Sequence, residues 1–280
     1  DALPIFRRAA AGFAARANAA LCRVPQGANA VGLSRHGVLP ASRDANAMLA
    51  QPRAGYVIYG IEPGLDFADQ AKAMQALGGA QVVAFSHFAC SSTRRVADVI
   101  LPIGLLPELD ASLTNLDGRE QRTVAGGKLP GEARPGWKAL RALGGLLGID
   151  GFDFVDFNGM RALVTPRQVE VARGAAPAAA GEGLELAVAQ AIYRVDGVTR
   201  RAAALQAHPL TVGPRITLNP QDASAAGLAD GGMARVSNGA GTATLPVVVS
   251  ADVAPGAALV ESGYGATAAL GAGMVRVEAA

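Results

Sequence analysis

Three short apolar runs, spaced by helix-length segments, constrain this chain most. Gly55-Tyr56-Val57-Ile58-Tyr59-Gly60-Ile61 is bounded by glycine, Ala80-Gln81-Val82-Val83-Ala84-Phe85 follows, and Asp98-Val99-Ile100-Leu101-Pro102 closes the series. Between the first two, Glu62-Pro63-Gly64 predicts a turn, and residues 67–77 have helical periodicity that Gly78-Gly79 stops. Residues 93–97 predict a second, shorter helix. Strand, helix, strand, short helix, strand is the rhythm of a parallel α/β sheet. The runs are apolar throughout rather than alternating, so strands covered on both faces are expected.

From about residue 210 the texture changes. Short segments rich in Val, Thr and Leu alternate with glycine turns at 215–218, 233–236, 243–249, 257–260 and 274–277, the pattern of a small β-barrel. Inside it, Asn219 is a capping residue, Pro220 suits the first helical position and Gly227 ends a short helix. Upstream, residues 1–22 read as one helix ended by Pro25 and Gly27, and 28–40 as loop. Residues 105–130 read as mostly loop with a hairpin-like turn at Asp117-Gly118, and 137–147 as helix starting at Trp137. Residues 175–183 look like a linker, and 184–193 fit helix or strand equally. The expected division is an α/β domain over 1–165, a linker and extended segment over 166–205, and a barrel over 206–280.

Composition narrows the function classes. A length of 280 residues suggests about two domains. A formal net charge of +2, dispersed along the chain, carries no nucleic-acid footprint. No apolar run reaches the ~18 residues of a membrane span, and no signal peptide is visible. The longest candidate, 139–149, is interrupted by Gly144, Gly145 and Gly148. The chain begins at Asp1 with a helical pattern already running by Ile5 and Phe6, so a fragment or a processed chain is expected. Cys22 and Cys90 stand alone, without the Cys-x-x-Cys spacing of a cluster or zinc site. His36, His87 and His208 are scattered, with no second ligand at metal spacing. No catalytic residue and no metal ligand is expected. Glu108, Asp110, Asp117 and Glu120 crowd one region without a histidine, and read as a solvated or interface face rather than an acid/base pair.

Three blocks together carry a resemblance. Thr93-Arg94-Arg95-Val96-Ala97-Asp98-Val99-Ile100-Leu101-Pro102 is similar to the T-x-x-x-A-D-V-x-L-P segment of molybdopterin oxidoreductases. Asn115-Leu116-Asp117-Gly118-Arg119-Glu120-Gln121, followed by 130–137, resembles N-x-E-G-R-x-Q and P-x-G-E-A-x-x-x-W, with Asp117 in place of the glutamate. Asn219-Pro220-Gln221-Asp222-Ala223, then 227–231, resembles the dinucleotide-binding barrel of those proteins. Within the superfamily, residues 192–202 and 245–271 resemble best the C-terminal region of the large iron–sulfur subunit of bacterial respiratory complex I.

The resemblance implies an α/β fold with a Rossmann-like parallel sheet and a small double-psi-like barrel. It implies a part of NADH:quinone oxidoreductase with no redox centre of its own. Iron–sulfur clusters would lie upstream, other peripheral-arm subunits would be partners, and the location would be the cytoplasmic face of the bacterial inner membrane without insertion into it. The alternative is the C-terminal half of an active molybdopterin-dinucleotide enzyme such as a formate dehydrogenase or nitrate reductase. Relatives hold a pterin dinucleotide between their α/β domains and barrel, and Thr199-Arg200-Arg201 is similar to a segment approaching it. Two adjacent arginines suit a pyrophosphate. Asn115, Arg119 and Gln121 around the glycine turn are further vestigial candidates. In the complex I reading no cofactor is bound, and the guanidinium forks are expected to be engaged by protein groups. Gly263-Tyr264-Gly265-Ala266-Thr267-Ala268 matches a loose nucleotide fingerprint, but too few residues follow it for a helix and strand, so a barrel turn is expected.

Overall fold

In the computed structural model, every residue is described except 1, 2, 23, 26, 41, 42, 68, 168–180 and 272. The chain divides into two compact units, 1–48 with 102–177, and 49–101 with 178–280. Most of the linker expected at 175–183 lies outside the described residues.

The second unit contains the three apolar runs as strands β1 (Gly55–Tyr59), β2 (Gln81–Ser86) and β3 (Val99–Pro102), in the order β1-β2-β3. β1 and β2 pair in parallel, from Gly55↔Gln81 to Tyr59↔Phe85. The Asp98 carboxylate accepts from Val82 N–H at 2.7 Å, fixing the entry of β3 beside β2. Helix Gln70–Gly78 is capped by Asp69, which accepts from Lys72 N–H. The short helix Ser91–Val96 connects β2 to β3.

Coverage of the sheet differs from the expectation. Ile58, Val82 and Ala84 are buried with Leu77 and Val96 from the two helices. On the other side the central strand buries Phe85 to 1% exposure, while the edge strands leave Val57 60% and Val99 47% exposed. Successive right-handed crossovers that advance in one direction put both helices on the same face. Apolar composition alone therefore overstated the burial.

The first unit holds helices Leu3–Arg16, Ala30–Arg35, Gly136–Leu146 and Phe157–Leu163, and the antiparallel hairpin β4 (Ala111–Thr114) and β5 (Glu120–Thr123). Gly118 turns the hairpin with φ +79°, where a Cβ would be strained. The first helix stops well before the expected residue 22. Residues 30–35, read as loop, form a helical turn and a half. Asn29 Oδ1 accepts from Thr114 N–H at 2.8 Å, tying this segment to β4. Trp137 finds its ring partner in Phe154, at 6.0 Å between centroids.

The barrel belongs to the second unit. Its strands are β6 (Leu184–Gln190), β7 (Ile216–Leu218), β8 (Met233–Ser237), β9 (Thr242–Val249), β10 (Ala257–Ser262) and β11 (Met274–Ala279). They close in the order β10-β6-β11-β8-β9-β7. The first barrel strand thus lies ahead of the expected boundary at 206. β6 pairs in parallel with β10 and antiparallel with β11. Along β9, Ala243, Leu245 and Val247 are buried and Thr242, Thr244 and Pro246 exposed. This alternation fills the interior with Ile216, Leu218, Val236, Leu245, Val247, Val260 and Val275. Helix Pro220–Ala225 crosses the barrel end. Asn219 caps it by accepting from Gln221 N–H, and donates through Nδ2 to Val253 O at 2.8 Å. The fold is mixed α/β, with a parallel sheet and a closed six-stranded barrel.

Candidate functional site

The loop leaving β1 carries two acids four residues apart, Glu62 and Asp66. Asp66 Oδ2 accepts from Glu62 N–H, and Glu62 O accepts from the N–H groups of Leu65 and Asp66. This compact turn presents both carboxylates at the C-terminal end of a parallel strand, where open α/β sheets place their ligand sites.

Both carboxylates meet the double arginine. Arg200 and Arg201 lie in a single 3-10 turn, Thr199–Arg201, closed by Asp196, whose carboxylate accepts from Val198 and Thr199 N–H. Arg200 donates from Nε to Glu62 Oε2 at 3.0 Å, from Nη2 to Asp66 Oδ1 at 2.7 Å and from Nη1 to Arg194 O at 3.1 Å. The Arg200 side chain is only 4% exposed and that of Glu62 6%. Arg201 Nη2 lies 2.5 Å from Glu62 Oε1, and its Nη1 donates to Gly197 O at 2.8 Å. The Arg201 guanidinium also stacks on Phe88, 4.1 Å from the ring centroid. Two carboxylates therefore balance two guanidinium groups, which is what lets Glu62 and Arg200 be buried while Asp66 and Arg201 stay at the surface.

A third arginine is similarly occupied. Arg194 donates to Gly263 O at 2.8 Å and to Gln206 Oε1, and lies 4.5 Å over the Tyr264 ring. Gln206 Nε2 in turn donates to Tyr193 O and Thr199 O, closing the segment on itself. Beside these residues is a cavity of about 640 Å³, whose lining includes Glu62, Gly64, Cys90, Ser92, Arg95 and Arg201. Cys90 Sγ is 3.2 Å from both Ser92 Oγ and Thr93 Oγ1.

The remaining candidates expected from the sequence are not in this unit. Asn115, Arg119 and Gln121 lie in the hairpin of the first unit. Asn115 Oδ1 accepts from Arg119 N–H at 2.9 Å, and Asn115 N–H donates to Arg119 O. The Arg119 and Gln121 side chains are exposed. Among the described residues, no three His, Cys, Asp or Glu side chains gather as a metal site. No described helix is long and apolar enough to cross a membrane.

Sequence reasoning missed Glu62 and Asp66, taking Glu62-Pro63-Gly64 only as a turn. The available signal was their position immediately after the first apolar strand.

A pterin dinucleotide is the group this fold implies. The arginines do not fit its pyrophosphate as they stand. Each Arg200 nitrogen is engaged, Arg201 is held by Glu62 and Gly197, and the Glu62 carboxylate in the cavity wall repels an incoming anion.

Comparison with known proteins agrees with this architecture. Residues 8–146 match the family described as molybdopterin oxidoreductase, and residues 188–277 match the molydopterin dinucleotide binding domain. A stretch of 55 residues is 42% identical to the mitochondrial NADH-ubiquinone oxidoreductase 78 kDa subunit of Neurospora crassa, covering 20% of this chain and 7% of that protein. The fold is similar to that of acetylene hydratase from Pelobacter acetylenicus, with a TM-score of 0.55 at 14% identity over 85% of this chain and 44% of that one. The matched regions span less than half the length of either relative. With one family match over the residues up to 146 and another that runs along the barrel from β6 to β11, the chain carries a molybdopterin oxidoreductase domain followed by a molydopterin dinucleotide binding domain.

Proposed function

We propose that this chain is a non-redox, structural part of the large iron–sulfur subunit of NADH:quinone oxidoreductase, complex I. The observation that carries the reading is the ion-pair cluster of Glu62, Asp66, Arg200 and Arg201, in which Glu62 and Arg200 are buried. In it, the guanidinium groups that would meet a pterin pyrophosphate are neutralised by the protein's own carboxylates. The matched stretch of the 78 kDa subunit supports the same assignment. Iron–sulfur clusters would then belong to the remainder of the subunit, the partners would be other peripheral-arm subunits, and the location would be the cytoplasmic face of the inner membrane.

A second reading, part of an active molybdopterin-dinucleotide enzyme, has one observation in its favour: the cavity of about 640 Å³ beside the arginines. The two readings separate in a calorimetric titration with guanosine diphosphate, which mimics the distal half of the dinucleotide. The structural reading expects no saturable binding at millimolar nucleotide. Micromolar binding that disappears in an Arg200→Ala/Arg201→Ala double variant favours the enzyme.

A further inference from the structure

Asparagine is followed by glycine at two places, Asn158-Gly159 and Asn238-Gly239. A glycine amide, unshielded by any Cβ, is the main-chain nitrogen best able to close on the preceding asparagine Cγ and form a cyclic imide. The fold treats the two sites differently. Asn158 lies in the first turn of helix Phe157–Leu163, and Gly159 N–H donates to the Asp156 carboxylate at 2.7 Å. That bond is charge-assisted and occupies the nitrogen that would react.

Asn238 opens the turn between β8 and β9. Its N–H donates to Gly241 O at 3.0 Å, and its Oδ1 accepts from Ala240 and Gly241 N–H at 3.0 and 3.2 Å. Gly239 is exposed, and its N–H donates to no group among the described residues. The ring closed by Oδ1 and Ala240 N–H runs through both Asn238 Cγ and the Gly239 nitrogen, so the two reacting atoms are held in one loop. The two N–H groups on Oδ1 favour the negative charge that develops there when the nitrogen adds. One restraint opposes the reaction: Asn238 Nδ2 donates to Gly271 O at 2.7 Å. A single neutral bond is weaker than the charge-assisted bond and helical backbone that guard Gly159.

We propose that Asn238 is a site of spontaneous deamidation, and that its amide is a strap which the barrel loses with age. Base removes the proton from Gly239 N, the nitrogen forms a bond to Cγ, the Cγ–Nδ2 bond breaks, and ammonia leaves with a proton from water. A water molecule then opens the imide at either carbonyl and leaves aspartate or isoaspartate at position 238. The net change consumes water and releases ammonia, with nothing oxidised or reduced. The product carboxylate has no hydrogen to offer Gly271 O and stands against it as a second acceptor. Little slack is left to absorb this, because a Cβ at Gly241 would lie 2.6 Å from Ala269 O and one at Gly271 2.8 Å from Ala240 Cβ. Isoaspartate also adds a main-chain carbon between Ser237 and Thr242, which pair across β8 and β9. The site makes no use of the arginine cluster, and it stands or falls independently of the function proposed above.

For the test, the folded chain is incubated at mildly alkaline pH, digested with trypsin and read by mass spectrometry. Peptides 236–276 and 142–161 each contain a single asparagine, so conversion of its amide to a carboxyl group is assigned directly. Conversion at Asn238 is expected to be about tenfold or more faster than at Asn158. Gly239→Ala should suppress it. That variant keeps the fold, since a Cβ there meets nothing within 4 Å and the Gly239 φ lies outside the left-handed region. Asn238→Asp, the product made directly, should speed exchange at the Leu270 amide, which donates to Thr267 O in the strapped segment. Equal or faster conversion at Asn158 overturns the proposal, as does a Gly239→Ala rate equal to that of the parent chain. So does an unconverted Asn238 in the folded chain when the urea-unfolded chain converts, or unchanged Leu270 exchange in Asn238→Asp.

Discussion

Arg200 Nε donates to Glu62 Oε2 at 3.0 Å, joining residues 138 positions apart in the sequence. The bond links the loop after β1 to the turn that follows β6. It therefore ties the parallel sheet to the barrel segment of the same compact unit. Its value to stability lies less in the Coulomb attraction than in the cost of leaving either charge buried alone.

The first prediction follows from that asymmetry. Arg200→Met leaves Asp66 and part of Glu62 without their partner, and should lower the unfolding free energy by about 3–5 kcal/mol. Adding Glu62→Leu removes the buried stranded carboxylate, leaves only the more exposed Asp66 and Arg201 unpaired, and should recover much of the loss, because well-packed apolar groups replace buried ion pairs at little cost. Urea unfolding of the single and double variants checks both. A double variant as unstable as the sum of two singles would show that the cluster does not act as a unit.

A second prediction concerns pH. The Glu120 carboxyl is held below the usual glutamate range, first by the Ser112 hydroxyl and then by the Arg161 guanidinium, which donates from Nε at 2.9 Å. A carboxyl depressed in the folded state contributes stability that is complete above its ordinary value of about 4.3. That contribution is lost as pH falls through the lower native value. The tether between β5 and helix Phe157–Leu163 should therefore persist through mild acid and release below it. Carbon-detected NMR titration of Glu120 measures the midpoint, and Ser112→Ala should move it upward. A midpoint at or above the ordinary value would refute the arrangement.

The third prediction tests the barrel seam. Gly183, with φ +117°, precedes β6, and a Cβ there would lie 2.3 Å from the Val275 carbonyl oxygen of β11. Neither the backbone conformation nor the neighbouring strand can accommodate the added carbon. Gly183→Ala should cost about 1–3 kcal/mol and spread β6 from β11. Loss of amide protection at Leu186, whose N–H donates to Gly273 O, is the local readout. Unchanged stability would mean the seam is looser than the structure has it.

Local chemistry in the sequence determined the elements. The glycine-bounded apolar runs became β1, β2 and β3, since short continuous apolar segments suit strands of a parallel sheet. The barrel strands announced themselves as short segments rich in Val, Thr and Leu between glycine turns, and Asn219-Pro220 and Asp117-Gly118 fixed a helix start and a hairpin turn through capping and backbone geometry. The motif blocks likewise carried the family, because they lie within contiguous stretches of chain.

Only the tertiary structure decided what depends on partners far apart in sequence. Leu184–Gln190 fits helix or strand by itself, and became β6 because β10 and β11 flank it on both sides. The exposure of Val57 and Val99 on the sheet's second face followed from crossover handedness, which places both helices on the other face and which no residue pattern records. Nor could any local period pair Glu62 and Asp66 with Arg200. Hydrophobic periodicity repeats along the chain and can be counted, whereas an ion pair is a single contact whose partner is chosen by the fold that brings the two charges together.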